Sequence, residues 1–452
     1  MGKNYVESSL KRFLKRKVKI TLGLVVAFMI TGAVGYAEEI TGEEPFVLTF
    51  GEKTIEQDSL NMNFNKNEVP KGIRIEPKNT NSIAKAKIET SNNIDIFVKH
   101  YDPTGICVRN GGELEITSKN IVINSLTEKV NPNETNPNLQ YSIAMGIDVD
   151  NNPYSSGLKK GGKVNITAET VNITAEAKQD AGWAYGINCI TRTTNSVKED
   201  VSRVVINAKD TKINAISKTK GASNGIIAWS QGEVFINNGN ISITADNIIN
   251  TRGNALVELN KNNAQNTVKL NGDILFEYDS HSSGTKIDGN IYVNLSDANS
   301  IFNGKIYVVK GLNSGKPIGE YDSNLFIVRG MNLGLYNGGT WNVKGDSFVN
   351  DLTINGGVLN LENNTLKVVS TDTEEKINEK IEEKSTIGSL KMAGATVVEG
   401  VTYNSIIKGN GIIKSVKQTT KSDSKGEPVE TIEGTAITVT NKGNILELGE
   451  NL

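Results

Sequence analysis

Residues 163–177 read KVNITAETVNITAEA, so the pentapeptide V-N-I-T-A begins at Val164 and begins again at Val171. In each copy the apolar residues stand two apart, Val164 with Ile166 and Val171 with Ile173, and a polar residue (Asn165, Asn172) lies between them. Period two is the side-chain period of a β-strand. An offset of seven leaves room for one short strand and one corner, which places the bend at Glu169-Thr170. The pairing recurs with the same offset of seven: Leu114/Ile116 with Ile121/Ile123, Val204/Ile206 with Thr211/Ile213, and Val234/Ile236 with Ile241/Ile243. Ahead of each pair stands a Gly-Ile strand, at Gly105, Gly146, Gly186 and Gly225, spaced 41, 40 and 39 residues. Repeats of 20–50 residues are the mark of a solenoid.

One such coil cannot bury its own inward Val and Ile, but stacked coils can. The expected fold is therefore all-β: a right-handed parallel β-helix, a three-sided solenoid whose sides are the Gly-Ile strand and the two paired strands. The shortest legs give a coil of about 30 residues rising about 4.8 Å. Longer copies carry insertions that leave the coil as loops, 127–140 and 150–161. Cys189 occupies the third place after Gly, with Val108, Val149 and Ala228; Cys107 occupies the second, with Asp148, Asn188 and Ile227. Adjacent places face opposite ways and the two cysteines lie two coils apart, too far for a disulfide. Two free thiols follow, with Cys189 buried and Cys107 outward.

Composition agrees. The 452 residues hold 44 Gly, 9 Pro and only 6% aromatics, a mix for short strands between polar turns. The 49 basic and 51 acidic residues leave a net charge of −2, without the basic excess of a nucleic-acid binder, so no nucleic acid is expected as a partner. Two cysteines make no disulfide framework. Two isolated histidines, His100 and His281, offer little to a metal or a general base. No cofactor and no catalytic or metal site is expected, and the chain reads as a non-enzyme.

Residues 1–37 have the organisation of an export signal. Residues 1–19 hold seven cations, the last of them Lys19, then comes ITLGLVVAFMITGAVGYA, with Gly35 and Ala37 at the −3 and −1 places of a cleavage site before Glu38. The apolar part, about 16 residues and broken by glycines, is short for a membrane span. A signal helix removed between Ala37 and Glu38 is expected. The run ESSLKRFLKRKVKITLGLVVAFMITG resembles the extended signal segment of bacterial autotransporters.

The domain reading follows: 1–37 extended signal peptide, 38–104 N-terminal cap and first coils, 105–260 Gly-Ile repeats, 261–370 a second set of coils, 371–387 a short helical excursion, and 388–452 terminal β segments. From 268 the pattern becomes Asn-Gly-x-Ile, at Asn271, Asp288 and Asn303, read as shorter legs with glycine turns. In 371–387, TDTEEKINEKIEEKSTI, Ile377 and Ile381 lie four apart among Glu and Lys, the pattern of a short amphipathic helix. The polar stretch 416–431 reads as a loop.

Between 333 and 369 a Gly-x-x-Trp strand (Gly339, Trp341) is followed by a Gly-Asp-Ser turn (Gly345, Asp346, Ser347), an Asn-x-Leu-x-Ile strand (Asn350, Leu352, Ile354) and a Gly-Gly-x-Leu strand (Gly356, Gly357, Leu359). This combination resembles the end of pertactin-like autotransporter passengers, with Trp341 capping the interior. The resemblance implies type V secretion, passage through the inner-membrane secretion machinery, and display at the cell surface as a virulence-associated adhesin that binds host-surface or matrix ligands, or as a structural stalk. A self-transporting member continues into a membrane β-barrel; no series of ten-residue alternating strands is present here. The cell surface or outer membrane is the expected destination if a barrel is supplied, either joined to the chain or encoded separately, and the periplasm otherwise. Two alternatives stay open: a carbohydrate-active β-helix enzyme, and a truncated passenger remnant in the periplasm.

The residues that could carry chemistry are few. Asp148 and Asp150 in GIDVDNN form a bare Ca²⁺-type pattern. Trp183 and Trp229 flank the Gly-Ile strand in neighbouring copies, as corner packing or as a sugar-stacking platform.

Overall fold

The computed structural model describes residues 34–35 and 42–439, apart from the segments 66–69, 80–81, 128–141, 152–159, 181, 193–199, 279–285, 288, 311–325, 328–329, 378–379, 387–388 and 420–429. Among these residues the protein is all-β and has no α-helix, and its main sheet is parallel throughout. The chain returns to the same place every few dozen residues, which makes a solenoid-like wall consistent with a parallel β-helix.

Backbone pairing sorts the strands into three stacks. The first climbs through Lys71–Ile75, Thr104–Arg109, Ile143–Asp150, Trp183–Ile190 and Ser223–Trp229, then through the end of Glu233–Arg252, Val268–Tyr278 and Ile306–Lys310. The second and third share long strands: Glu113–Thr127, Lys163–Ala177 and Arg203–Ser217 each contribute their first half to one stack and their second half to the other. Seven is an odd number, so a flat strand would send Val164 and Val171 to opposite faces. Both are buried, and the alternation changes phase across Ala168, Glu169 and Thr170. The corner is therefore where the repeat places it, inside what is formally one strand.

The Gly-Ile motif builds the core of the first stack. Ile73, Ile106, Ile147, Ile187, Ile226, Ile249, Ile274 and Ile306 stand in register as one column, every one of them fully buried. Burial of each isoleucine contributes about 1.5–3 kcal/mol before the entropy of ordering it. The glycine before it is required by crowding. A Cβ on Gly186 would lie 2.3 Å from Ile213 Cγ2 and 2.5 Å from the Gly225 carbonyl oxygen. The column extends beyond the four predicted copies, down to Gly72-Ile73 and up to Ile306.

The upper half winds unevenly. Pairing offsets there run from 18 residues between Thr340 and Val358 to 39 between Ile301 and Thr340 and 48 between Val358 and Ile406. Asn271, Asn303, Asn342 and Asn360 stand on successive levels of one corner and hydrogen-bond in series through Nδ2 and Oδ1, at 2.9, 2.8 and 3.0 Å. Such ladders satisfy the amides against each other where identical side chains repeat along a stack. Of the middle unit, Asp288 lies outside the described residues, and the strand that follows it, Asn290–Leu295, belongs to the second stack. The interior here is aromatic: Phe276, Phe302, Trp341 and Phe348 are fully buried, and Trp341 stacks on Phe302 at 5.6 Å while its Nε1 donates to the Gly304 carbonyl at 3.0 Å.

Two expectations are corrected. The 371–387 segment is not helical: Thr365–Ile377 and Lys380–Thr386 are antiparallel strands. Thr365–Asp372 already pairs in parallel with Ile412–Thr419, so the chain enters this segment extended, and that template overrides a local helical pattern. For the same reason the ends of the polar 416–431 stretch are strands, with Gly411–Thr419 antiparallel to Glu430–Val439. Of the signal segment 1–37, only Val34–Gly35 is described, as a short strand parallel to Gly51–Gln57; the expected signal helix, with Ala37 and Glu38, lies outside the described residues.

Candidate functional site

Gly105, Gly146, Gly186, Gly225, Val164, Ile166, Val171, Ile173 and Trp341 are core-forming positions, as their pattern requires. The second place after the glycine faces away from the lumen, and its register is Arg74, Cys107, Asp148, Asn188, Ile227, Asn250. This face is nevertheless closed to solvent. Asp148 and Asn188 are buried, and so is Cys107, which corrects its expected exposure. Lys71 Nζ lies 3.4 Å from Cys107 Sγ, and the thiol reaches Asp148 Oδ2 at 3.7 Å. Long polar side chains fold over the strand and cover it. Both cysteines are free. Burial, and next the Asp148 carboxylate, push the Cys107 thiol up to about 11. Burial pushes Cys189 up as well. Thiols held protonated in this way are poor nucleophiles.

Asp148 is committed to its neighbours. Arg109 donates Nε to Oδ2 at 3.0 Å and also its Nη2, and Asn188 Nδ2 donates to Oδ1 at 2.8 Å. Burial disfavours the carboxylate, but Arg109 and Asn188 outweigh it and hold the group below the usual range. Asp150 pairs with Arg192, Nε to Oδ2 at 3.1 Å, and burial pushes it up. The two carboxylates proposed from GIDVDNN are thus spent on arginines, and no group of three metal-binding side chains stands among the described residues.

The other named residues separate in the same way. His100 is buried, its ring 3.9 Å from Tyr101 and its Nδ1 accepting from the Asp102 amide at 3.1 Å; His281 lies outside the described residues. Trp183 begins its strand and Trp229 ends its own, so the rings do not form one platform. Trp183 meets Tyr185 edge-on at 6.2 Å, and Trp229 carries the Arg252 guanidinium 5.5 Å from its ring. Nearly all of the two insertions lies outside the described residues, 128–141 and 152–159.

Higher up, the polar strip opens. Asn247 Nδ2 reaches Asn224, Asn250 Nδ2 reaches Glu277 at 2.7 Å, and Tyr307 Oη donates to Asn247 Oδ1 at 3.2 Å. Tyr307 lines a groove of about 1160 Å³ that runs from Lys220 to Lys414 across successive levels of the first stack. No contiguous sequence motif marks this groove, because its residues come from seven separate places in the chain. No family model, curated protein or solved structure matches the chain.

Proposed function

We propose that the chain is an exported passenger of the autotransporter type. In this reading it is a right-handed, three-sided, pertactin-like β-helix held at the cell surface as a non-enzymatic adhesin or stalk. The observation that carries the reading is the unbroken parallel stacking of the chain behind a leader with an export pattern. A solenoid of this kind grows by nearest-neighbour contacts and presents long faces, which suits extension away from a surface. The groove carboxylates favour binding over cleavage. Asp246 accepts from the Gly221 amide (3.0 Å), Asp273 from the Lys305 amide (3.0 Å) and Asp346 from the Thr365 amide (2.8 Å), whereas glycoside hydrolysis needs a pair of carboxyls turned toward the substrate.

Surface proteolysis of intact native cells, read by immunoblot against residues 38–452, tests display. Loss of the band on treatment supports it; a protected band overturns it. Release of reducing or unsaturated sugar from a polysaccharide panel would favour the enzyme reading instead.

A further inference from the structure

The asparagine ladder of the upper half is one end of a longer feature. In pairing register, one residue per level, a column on the outer face of the third stack begins at Asn124, continues through Thr174, Asn214 and Thr244, and passes into the ladder that runs from Asn271 to Asn360. Every member is an amide or a hydroxyl; none is charged and none is fully buried. Its eight levels at the inter-strand spacing make a row of about 34 Å. Side-chain ladders of this kind hold a many-stranded sheet flat.

The ladder amides keep hydrogen-bonding capacity. Asn303 and Asn342 each give one amide hydrogen to the level below and accept one bond from the level above. An amide has two hydrogens and two lone pairs, so one of each remains at every such level. Asn360, at the top, also donates to Glu362 Oε1 at 3.4 Å.

The pitch selects the partner. Amides stacked through N–H···O=C bonds repeat at about 4.8 Å whatever chain carries them, because the bond sets the distance. A β-(1,4)-linked polymer of N-acetylated sugar stacks its acetamides through that same bond. Rows of acetamides on such a fibre stay in step with the column over its whole length when the glycan chains lie along the strands. Two other partners share the pitch. A second copy of this chain would bring the neighbouring column of the same face with it, which carries the exposed Lys212 and Lys269. Two copies face to face would bury four lysines between columns that hold no carboxylate from the level of Asn124 to that of Asn360. A glycan instead offers hydroxyls to these ammoniums and leaves them in water. A cross-β protein fibre spends its backbone amides within its own sheets.

We propose that this face docks a chitin-type fibre, a stacked N-acetylated glycan, with the amides of Asn303 and Asn342 and the hydroxyls of Thr174 and Thr244 meeting its acetamides and hydroxyls level by level. The inference rests on the adhesin reading and gives it a ligand class.

The test is depletion of the purified full chain from solution by microcrystalline chitin and by microcrystalline cellulose, which has the same linkage without the acetamide. Binding to chitin at least about tenfold tighter than to cellulose is the expected result. Soluble chitohexaose, which presents no stacked row, should fail to displace the chain at equal sugar concentration. A Thr244→Glu/Asn271→Glu double variant puts two carboxylates at exposed positions of the column and should weaken chitin binding about tenfold or more. Asn165→Glu, exposed on the second stack, should bind as the parent does. A circular-dichroism melt shows whether the double variant folds, and the chitin-to-cellulose comparison on the parent chain decides the matter if it does not. Absence of chitin binding, equal binding to cellulose, displacement by the hexamer or undiminished binding by the folded double variant overturns the proposal. So does a preference for an asparagine-rich cross-β fibre, or a dimer in sedimentation that chitin does not compete away. Because depletion needs no cells, chitin binding by a chain that intact cells protect from protease would refute surface display and leave this face standing.

Discussion

The lower and upper halves of the solenoid solve one packing problem in two ways. Between Thr104 and Trp229 the lumen is lined by repeats of the same small β-branched residues, so each level is nearly a copy of the one below. Above Val268 the coils vary in length, copies diverge, and single large rings fill the interior. Stability is spread evenly in the first half and concentrated in a few side chains in the second. A periodic sequence and a periodic structure are therefore separable: the upper half keeps the stacking after the sequence has lost the repeat.

The largest effect expected from this contrast is at Trp341. Trp341→Ala should cost about 4 kcal/mol, while Ile187→Val, one rung of the isoleucine column, should cost about 1 kcal/mol. Urea unfolding of both variants checks it; equal costs would erase the distinction between the halves.

Next comes the polar strip. Asp148→Ala leaves the Arg109 guanidinium largely buried and unpaired and should cost about 3 kcal/mol, much of it recovered in Asp148→Ala/Arg109→Met. Because the Asp148 carboxylate is held low, its stabilisation is fully present above about pH 4 and is lost as pH falls through the folded-state value. A double-mutant cycle measured at pH 7 and again at pH 3 separates the pair from simple loss of volume.

Cys107 titrates at the other end of the scale. Its folded-state value is raised to about 11, so the stability it contributes is complete below about pH 8.5 and is lost as pH rises toward 11, by roughly 2–3 kcal/mol. The parent should lose more stability than Cys107→Ala over that interval. Both thiols should resist a disulfide reagent at pH 8 until denaturant is added, and rapid labelling of the native chain would show that the strip is open.

The smallest effect belongs to the asparagine ladder. Asn303→Ala removes a central member at a corner that is only partly buried and should cost about 1 kcal/mol. A matching Asn165→Ala change in the regular half, where this residue is exposed, should stay within about 0.5 kcal/mol.

The sequence by itself determined the class of fold, the corner at Glu169, and the residues that line the lower lumen. The reason is physical: stacked copies must bury equivalent residues at equivalent places, so the packing is written into the spacing of Gly105, Gly146, Gly186 and Gly225. Periodicity also placed Cys107 and Asp148 on one outward column. It did not show that this column is closed, because the arginines and lysine that cover it are neighbours only through pairing between coils. The 371–387 segment shows the limit most directly: its charges and isoleucines fit a helix, and a strand already extended against Gly411–Thr419 decides otherwise. The groove was invisible for the same reason. Lys220, Tyr307 and Lys414 are far apart in the chain, and only the winding of the solenoid brings them to one side.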